Sequence, residues 1–584
     1  MHIFGRFSSR APEAVYTATR LEDVRPLLTR AEAAAQDGRW VAVMLSYDAA
    51  PAFDPAMRER PAAPPATPPA TLPPTALPVA WAAEFDQLSP APAATPAPPG
   101  EPWPVFAATV DAAAFCERVR RAQEYIASGD TYQVNLTFPM QAPAAADLET
   151  WFGHLGAAQR AAYPALLDLG SHVILSLSPE LFFERRGPVI RTRPMKGTIR
   201  RGRWLAEDEA LARALATSSK AQAENVMIVD LLRNDVGRVA ETGTVHVPAL
   251  FAVEPYPTLW QLTSTVEGAI IPGTPLAAIF TALFPCGSVT GAPKIRTMEI
   301  IAELEDTPRG LYTGAIGLIE PGGDCTFSVA IRTVVVERAS GVATMGVGAG
   351  ITADSVPEEE YAESLLKSAF ASRASAGHAQ PFLLLETMRL ETGTVLRLER
   401  HLRRMRDSAR YFGFAWEEPR VRAAVEAEAA ARTDGVWRLR LTVSSSGEPV
   451  TTCTEHADVD RGPWRVAFAN APIDDADPFL FNKTTSRHAY EVARRGRPDV
   501  DDVLLWNGRR EATESTIANL VVEIHGERWT PARECGLLGG TLREELIETG
   551  AIRERVITRG EVMRAERLWL INSVRGWIEA IAVR

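Results

Sequence analysis

Residues 220–235 read Lys-Ala-Gln-Ala-Glu-Asn-Val-Met-Ile-Val-Asp-Leu-Leu-Arg-Asn-Asp, with Glu224, Ile228 and Leu231 at the i, i+4, i+7 spacing of one helical face. The Glu224 carboxylate therefore points where the apolar residues point, and a buried carboxylate requires a partner. Spacing alone weighs an ion pair with Arg233 or Arg238 evenly against a metal-binding or catalytic role. Upstream, Val189-Ile190-Arg191-Thr192 reads as a strand running into Arg193-Pro194-Met195-Lys196-Gly197-Thr198, so Lys196 stands at a Gly-Thr turn. A lone lysine in such a turn is ordinarily a surface residue. Downstream, Glu358-Glu359-Glu360-Tyr361-Ala362-Glu363 opens a helix. Glu360 and Glu363 present oxygen ligands to one side, although an acidic first turn with Glu363 pairing Lys367 explains the same residues.

Two glycine segments raise the same kind of choice. Cys286-Gly287-Ser288-Val289-Thr290-Gly291-Ala292-Pro293-Lys294 leads into an apolar-periodic helix, where free N–H groups, the Thr290 hydroxyl and the Lys294 ammonium would hold an anion. Its Gly-Lys spacing is wrong for a phosphate-binding Walker loop. Gly346-Val347-Gly348-Ala349-Gly350 follows a strand-like run without opening a helix, a poor match to a dinucleotide fingerprint. Its backbone N–H groups remain available for a carboxylate, with a plain tight turn carrying equal weight.

The chain of 584 residues is 46% hydrophobic and 23% charged, the balance of a globular protein of two or three domains. A net charge of −11 and the lack of a basic run with interleaved aromatics argue against nucleic acid. Five scattered cysteines without a Cys-x-x-Cys pair argue against disulfides and zinc. The opening residues lack a signal-peptide core and no stretch approaches about 18 apolar residues, so a cytoplasmic protein without membrane contact is expected. Trp40 to Leu45 reads as a buried strand joining a sheet formed later. Pro51 to Pro104 is rich in proline and alanine and is expected to be an insertion without helix or central strand. Small and polar residues at 371–380 mark a boundary, giving a first domain over 1–375, a linker over 376–381 and a second domain over 382–584. In the latter, Phe382–Met388 and Val436–Val443 read as strands and Leu398–Phe412 as an amphipathic helix.

Taken in order, several motifs resemble the chorismate-utilising enzymes: Ser178-Pro179-Glu180, the Lys196 turn, Ala223 to Asp235, Thr290 to Lys294, and Ala353-Asp354-Ser355 with Glu360 and Glu363. The resemblance covers roughly Val105 to Phe370. Within that family a lysine at the position of Lys196 is similar to aminodeoxychorismate synthase component I, whereas anthranilate synthase usually has alanine. Gln133, in Gly129-Asp130-Thr131-Tyr132-Gln133, stands where the water-adding relatives carry a lysine base. The resemblance implies Lys196 as nucleophile on the chorismate ring, Glu180 as the acid assisting hydroxide departure, and Glu224, Glu360 and Glu363 around Mg²⁺. It implies substrate contacts from Gln133, Thr290, Lys294, Tyr312 and Arg332 and the backbone of Gly348 and Gly350. Gln261 departs from the histidine of many relatives, leaving hydrogen bonding near the 4-substituent open. No glutaminase elbow is present, so the family implies a separate glutamine amidotransferase subunit. A Leu-Leu-Glu-Ser segment, associated with tryptophan feedback, is also missing near Leu45.

The second half carries Asn482-Lys483-Thr484-Thr485-Ser486-Arg487 with Tyr490 beyond it, Glu514 before a strand, Arg397 ahead of a helix, and Gly539-Gly540-Thr541-Leu542-Arg543. From roughly Phe382 to Arg584 these resemble fold-type IV pyridoxal phosphate enzymes. The resemblance implies Lys483 as the cofactor lysine, Glu514 at the pyridine nitrogen, and Arg397, Thr541, Leu542, Ser573 and Val574 around the phosphate. The Lys-Thr-Thr-x-Arg pattern is similar to aminodeoxychorismate lyase more than to branched-chain or D-amino acid aminotransferases. Arg438 and Arg440, at i, i+2 on one strand face, fit substrate carboxylates or a solvated basic face equally.

The expected fold is α/β in the α+β sense, a large chorismate-binding β-sandwich with surrounding helices followed by a two-subdomain fold-type IV enzyme. The expected function is folate-pathway synthesis of 4-aminobenzoate, by amination of chorismate and then elimination of pyruvate. A homodimer of the second half is left open. The competing readings are an anthranilate-type synthase fused to an aminotransferase, and a non-catalytic scaffold for the amidotransferase.

Overall fold

Trp40–Leu45 is buried on both faces, which explains its uninterrupted apolar sequence. Val41, Val43 and Leu45 share a core with helices Val24–Gln36 and Leu276–Leu283. Ala42 and Met44 alternate to the other side and share a core with Phe4, Ala165, Leu167 and Ile174 of a second sheet. The computed structural model describes residues 2–9, 11–57, 77–91, 103–159, 161–256, 259–373, 382–457 and 462–583. Within them the chain forms two compact units, 1–201 with 212–379 and 202–211 with 380–584.

The first unit is a sandwich of two ten-stranded sheets. One runs Met195–Arg200, Leu259–Ala269, Val189–Arg193, Leu181–Arg186, Cys325–Val329, Ala315–Ile319, Trp40–Leu45, Ala80–Phe85, Ala14–Ala18. The other is built around Gln133–Pro143, Val342–Ile351, Thr333–Glu337, His172–Ser178 and Tyr163–Asp168. Every pairing in both is antiparallel. Helices Ala112–Ala127, Leu148–Gln159, Lys294–Leu304 and Pro357–Arg373 cover the outer face of the second sheet, with Phe115, Trp151, Ile300 and Ala371 in its core. The opening strand Trp40–Leu45 pairs with Ala315–Ile319, far along the chain, as expected.

Two sequence expectations fail in this unit. Ala80–Phe85, inside the Pro/Ala-rich stretch, is a central strand between Trp40–Leu45 and Ala14–Ala18. Its six residues contain no proline and bury Trp81 and Phe85, which overrides the composition around them. Residues 58–76 and 92–102 of that stretch, and the expected linker 376–381, lie outside the described residues. The Gly346–Gly350 segment is no loop but part of the strand Val342–Ile351, in register with Gln133–Pro143. Its glycines answer to close neighbours: a Cβ on Gly346 would lie 2.1 Å from the Tyr312 ring, and one on Gly348 would lie 2.3 Å from the Leu136 carbonyl.

The second unit begins with a four-stranded antiparallel sheet, Thr394–Val395, Leu384–Glu391, Val436–Val443 and Pro449–Glu455. Helix Leu398–Phe412 lays Leu402, Met405 and Ala409 on that sheet, as its periodicity predicts. An eight-stranded sheet follows, and pairing of Glu514 with Asn519 joins Ala512–Ser515 to Asn519–Ile524, closing six of its strands into a ring. Gly202–Leu211 belongs to this unit, an arrangement no sequence pattern announced. Trp204 packs against Phe481 in a tilted pair with ring centroids 5.1 Å apart, and Asn482 Nδ2 donates to the Arg203 carbonyl at 3.1 Å. Among the described residues no helix is long and apolar enough to cross a membrane.

Candidate active sites

In the first unit a cavity of about 420 Å³ opens between the ends of the sandwich strands and two helices, Ser219–Gly237 and Pro357–Arg373. Lys196, Glu180, Glu224, Gln261, Tyr312, Arg332, Gly348, Gly350, Glu360 and Glu363 all line it. Lys196 reaches it from the strand Met195–Arg200, where Gly197 has φ of 91° and a Cβ there would press to 2.9 Å from Ala221. The turn is thus packed, and the surface reading of Lys196 does not hold. Desolvation in the cavity pulls the Lys196 ammonium below its ordinary range, against the opposing carboxylates of Glu224 and Glu180.

Glu180 is 3% exposed, and burial pushes its carboxyl up to about 7, although the Ser288 hydroxyl donates to Oε1 at 2.6 Å. Glu180 thus titrates near neutrality, while Lys196 gives up its proton more readily than an ordinary lysine. Such opposed shifts are what an acid and a nucleophile need. Burial likewise raises Glu224 and Glu360, and the neighbouring Glu363 charge adds to both. Burial lowers the Arg332 guanidinium to about 10, and its backbone φ of 50° lies in the left-handed region.

Among the described residues no group of three or more His, Cys, Asp or Glu side chains stands close enough to hold a metal ion. Glu363 forms the i, i+4 ion pair with Lys367 at 2.9 Å that its helix spacing allows, and Glu360 accepts from Ser355 at 2.7 Å. The donor chemistry nevertheless fits a hard dication, because three carboxylates from two helices border one cavity and Glu224 and Glu360 are raised by their surroundings.

Two expected substrate contacts sit elsewhere. Lys294 is 9% exposed, with its ammonium committed to Asp235 at 2.7 Å and the Leu283 carbonyl at 3.0 Å, so it is a buried ion pair and not an anion ligand. Thr290, fully buried, donates back to the carbonyls of Cys286 and Gly287. Gln133 is not itself a lining residue but stands beside Lys196 at Gly350, where a Cβ on that glycine would meet Gln133 Nε2 at 2.5 Å and Lys196 Nζ at 3.2 Å. Gln133 Oε1 is buried without a hydrogen-bond partner. Sequence reasoning did not place Ser288 or Lys220 in the site, and named Lys367 only as the partner of Glu363. Ser288 lay within a quoted motif, but only the fold brings it to Glu180, 108 positions away.

In the second unit Lys483 is stitched beside the four-stranded sheet, its carbonyl accepting from Leu385 N at 3.0 Å. Burial lowers its ammonium to about 8, assisted by Arg404 and opposed by Glu386. Glu514 is 4% exposed and burial raises it to about 7, despite hydrogen bonds from Leu538 N at 3.0 Å, Tyr490 Oη at 2.8 Å and Asn519 Nδ2 at 3.0 Å. Only neutral donors hold this carboxylate, so a protonated ring nitrogen would supply the cation it lacks in hydrogen-bond contact. Thr541 and Leu542 are the first residues of the helix Thr541–Glu548, whose leading N–H groups have no intrahelical acceptor. A Cβ on Gly540 would collide with Asn519 Oδ1 at 1.9 Å, so the approach to this helix is a glycine cradle. These residues fit a pyridoxal-type cofactor.

Two expected phosphate contacts are otherwise engaged. Arg397, at φ of 60°, forms an ion pair with Glu545, and the Val574 N–H donates to Asn572 Oδ1 at 3.1 Å. Arg438 and Arg440 are exposed while Leu439 and Leu441 are buried, the pattern of a solvated basic face. Glu386, His401 and Arg404 were missed. His401 and Arg404 follow Arg397 at i+4 and i+7, a spacing that signals one shared helix face.

The sequence profile for the chorismate binding enzyme family matches residues 4–373, and that for amino-transferase class IV matches residues 383–583. The chain is 42% identical over 269 residues to aminodeoxychorismate synthase component 1 of Bacillus subtilis, covering 46% of this chain and 57% of that protein. It is 45% identical over 253 residues to aminodeoxychorismate synthase component 1 of Escherichia coli, covering 43% and 55%. Anthranilate synthase component 1 of Streptomyces coelicolor is also 45% identical, over 282 residues covering 48% and 54%. The chain thus spans little more than half the length of these relatives. Identity of this size does not separate the two activities. The fold of the first unit resembles anthranilate synthase component I of Streptococcus pneumoniae, with a TM-score of 0.53 and 24% identity, covering 63% of this chain and 92% of that one.

Proposed function

The chain belongs to the chorismate-binding enzymes, and from that premise we propose that it makes 4-aminobenzoate in two steps, aminating chorismate in the first unit and expelling pyruvate in the second. The observation that carries the reading is the pairing in one cavity of Lys196, biased toward its free amine, with Glu180, raised to about 7. Lys196 is the cavity lysine whose charge acts on Glu180, so this residue favours amination at C4 over the anthranilate reaction, which adds nitrogen ortho to the ring carboxylate.

In the first step the Lys196 amine attacks the chorismate ring while protonated Glu180 delivers its proton to the departing 4-hydroxyl. Ammonia then attacks C4 as the bond between Lys196 and the ring breaks, which returns the lysine as the free amine, and the proton shed by the new C4 ammonium reprotonates Glu180. Ser288 holds the Glu180 carboxyl through the bond to Oε1. Tyr312 and Arg332 line the cavity where the enolpyruvyl carboxylate would lie. Glu224, Glu360 and Glu363 would hold Mg²⁺, whose charge would neutralise the ring carboxylate. Ammonia would come from a separate glutamine amidotransferase, or from solution in its absence.

In the second step Lys483 is the residue that removes the C4 proton of the aminated ring, its lowered pKa matching the task. Bound pyridoxal phosphate would supply an electron sink, with Glu514 keeping the proton at its ring nitrogen. Tyr490 and Asn519 hold Glu514 in place, and the start of helix Thr541–Glu548 would receive the phosphate. Loss of pyruvate aromatises the ring. The proposal places that product in folate synthesis and the chain in the cytoplasm.

The test is mass and positional analysis of the products from chorismate, ammonia and Mg²⁺, with and without pyridoxal phosphate. Para amination, with 4-aminobenzoate forming only when the cofactor is present, is expected. An ortho product would overturn the reading of the first unit, and an aminated ring that keeps its pyruvyl group with cofactor loaded would overturn that of the second.

A further inference from the structure

The proposed phosphate site contains a hydrogen-bond relay whose direction bears on what it can bind. Glu386, 1% exposed on the strand Leu384–Glu391, accepts from Arg404 Nε at 2.8 Å and Arg404 Nη2 at 2.7 Å. It also faces His401 Nδ1 at 2.6 Å. Burial opposes its charge, yet the Arg404 guanidinium and His401 hold the Glu386 carboxyl far below the usual range. An ionised carboxylate only accepts, so Nδ1 of His401 carries the proton. On the other side of the fully buried imidazole, Nε2 stands 2.8 Å from Ser573 Oγ and 3.3 Å from Thr541 Oγ1. Burial, with Arg404 and Lys483, favours the neutral ring, while Glu386 favours the charged one. Among the described residues, Glu386, Arg404, Lys483 and the two hydroxyls face His401 from the elements packed on it.

A neutral His401 with its proton on Nδ1 offers Nε2 only as an acceptor. Ser573 and Thr541 then turn their hydroxyl hydrogens toward the histidine and present lone pairs to the helix start. That arrangement repels an anion. A proton added at Nε2 removes the acceptor: Nε2–H donates to Ser573, the Thr541 bond is released, and both hydroxyl hydrogens become free to donate to phosphate oxygens. The imidazolium is then held between the Glu386 carboxylate and the bound anion, each favouring its charge.

We propose that His401 is a positioning residue that sets the direction of the Ser573 and Thr541 hydroxyls, so that a phosphate dianion binds at this site together with one proton taken up on His401 Nε2. The inference rests on the reading of the second unit as a pyridoxal phosphate site. The test uses the full-length chain stripped of cofactor, inorganic phosphate at about pH 8, where it is a dianion, and calorimetry in two buffers of different protonation heat. Close to one proton taken up per phosphate is expected, with affinity falling about tenfold per pH unit above that point. His401→Gln places an amide that does not titrate near the position of Nε2, and should bind phosphate with no proton uptake and a flat pH profile. Phosphate binding by the unaltered chain without proton uptake overturns the inference, as does no phosphate binding by a chain that loads the cofactor, or uptake that persists in H401Q. Histidine-ring NMR of the unaltered chain needs no variant: Nε2 must gain a proton when phosphate is added. If instead Lys483 supports no cofactor absorbance at all, the reading of the site fails, which is a different result from a loaded site without proton linkage.

Discussion

At the scale of single residues, the two proposed reactions depend on burial moving three groups toward neutrality: Glu180 and Glu514 up to about 7, and Lys483 down to about 8. Lys196→Ala should lower C4 amination by on the order of a thousandfold, measured as product from chorismate and ammonia, while lyase turnover of added aminodeoxychorismate is unchanged. Ser288 hydrogen-bonds the ionised form of Glu180 and so holds its pKa down. Ser288→Ala should therefore raise that pKa, keep the acid protonated to higher pH, and move the descending limb of the amination profile in the alkaline direction; a limb shifted toward acid would refute the assignment. Stability follows the same sign. The folded-state pKa of Glu180 lies above its ordinary 4.5, so ionisation is penalised by folding above about 7 and costs nothing below about 4.5. Glu180→Gln should gain up to roughly 3 kcal/mol of unfolding free energy at about pH 8 and little at about pH 4, read by denaturant titration at the two values.

At the scale of elements, the strand Val342–Ile351 decides how closely the first site can close. Its alternate glycines let the Tyr312 ring, the Leu136 carbonyl, and the Gln133 and Lys196 side chains approach the backbone. A Cβ at Gly346 meets ring carbons of Tyr312 at 2.1 Å, so Gly346→Ala should cost roughly 1–3 kcal/mol of stability, seen as a lower denaturant midpoint. At Gly350 the nearest atoms are the ends of Gln133 and Lys196, which can move. Gly350→Ala should therefore leave the midpoint nearly unchanged while displacing the amine and lowering amination; equal activity in G350A would mean that the position of Lys196 is not set by this strand. Helix Leu398–Phe412 divides its work by face, with Leu402, Met405 and Ala409 toward the core and His401 and Arg404 toward Glu386.

At the scale of the whole molecule, each unit carries a complete set of its own proposed groups, so removing one cofactor should silence one step alone. Chelation of Mg²⁺ should stop chorismate consumption and spare conversion of added aminodeoxychorismate, whereas stripping pyridoxal phosphate should do the reverse. Gly202–Leu211 makes the second unit discontinuous in sequence. A fragment starting at Gln380 would lack the Trp204 ring on Phe481 and the Tyr411 hydroxyl's bond to the Gly202 carbonyl at 2.7 Å. Its thermal transition should fall below that of the same unit in the full chain by the equivalent of roughly 1–3 kcal/mol, and Trp204→Ala in the full chain should reproduce part of the loss.

What the sequence by itself determined is what short-range physics governs. The helix Leu398–Phe412 and the strands Trp40–Leu45 and Val436–Val443 were legible because periodicity and side-chain type act over a few residues. The motifs around Glu180, Lys196, Glu224, Lys483 and Glu514 were legible because their residue types suit one chemistry in one order. What only the tertiary structure decided depends on residues far apart in the chain. Composition pointed to a tether where Ala80–Phe85 completes a sheet, since strand pairing is set by distant partners. Spacing made Lys294 an anion ligand, whereas Asp235 and the Leu283 carbonyl neutralise it. The glycines of Gly346–Gly350 read as a loop because the rings and side chains that require them come from other segments. The charge on Lys196 likewise cannot be read from its neighbours in sequence, because desolvation is a property of the folded cavity and not of the chain.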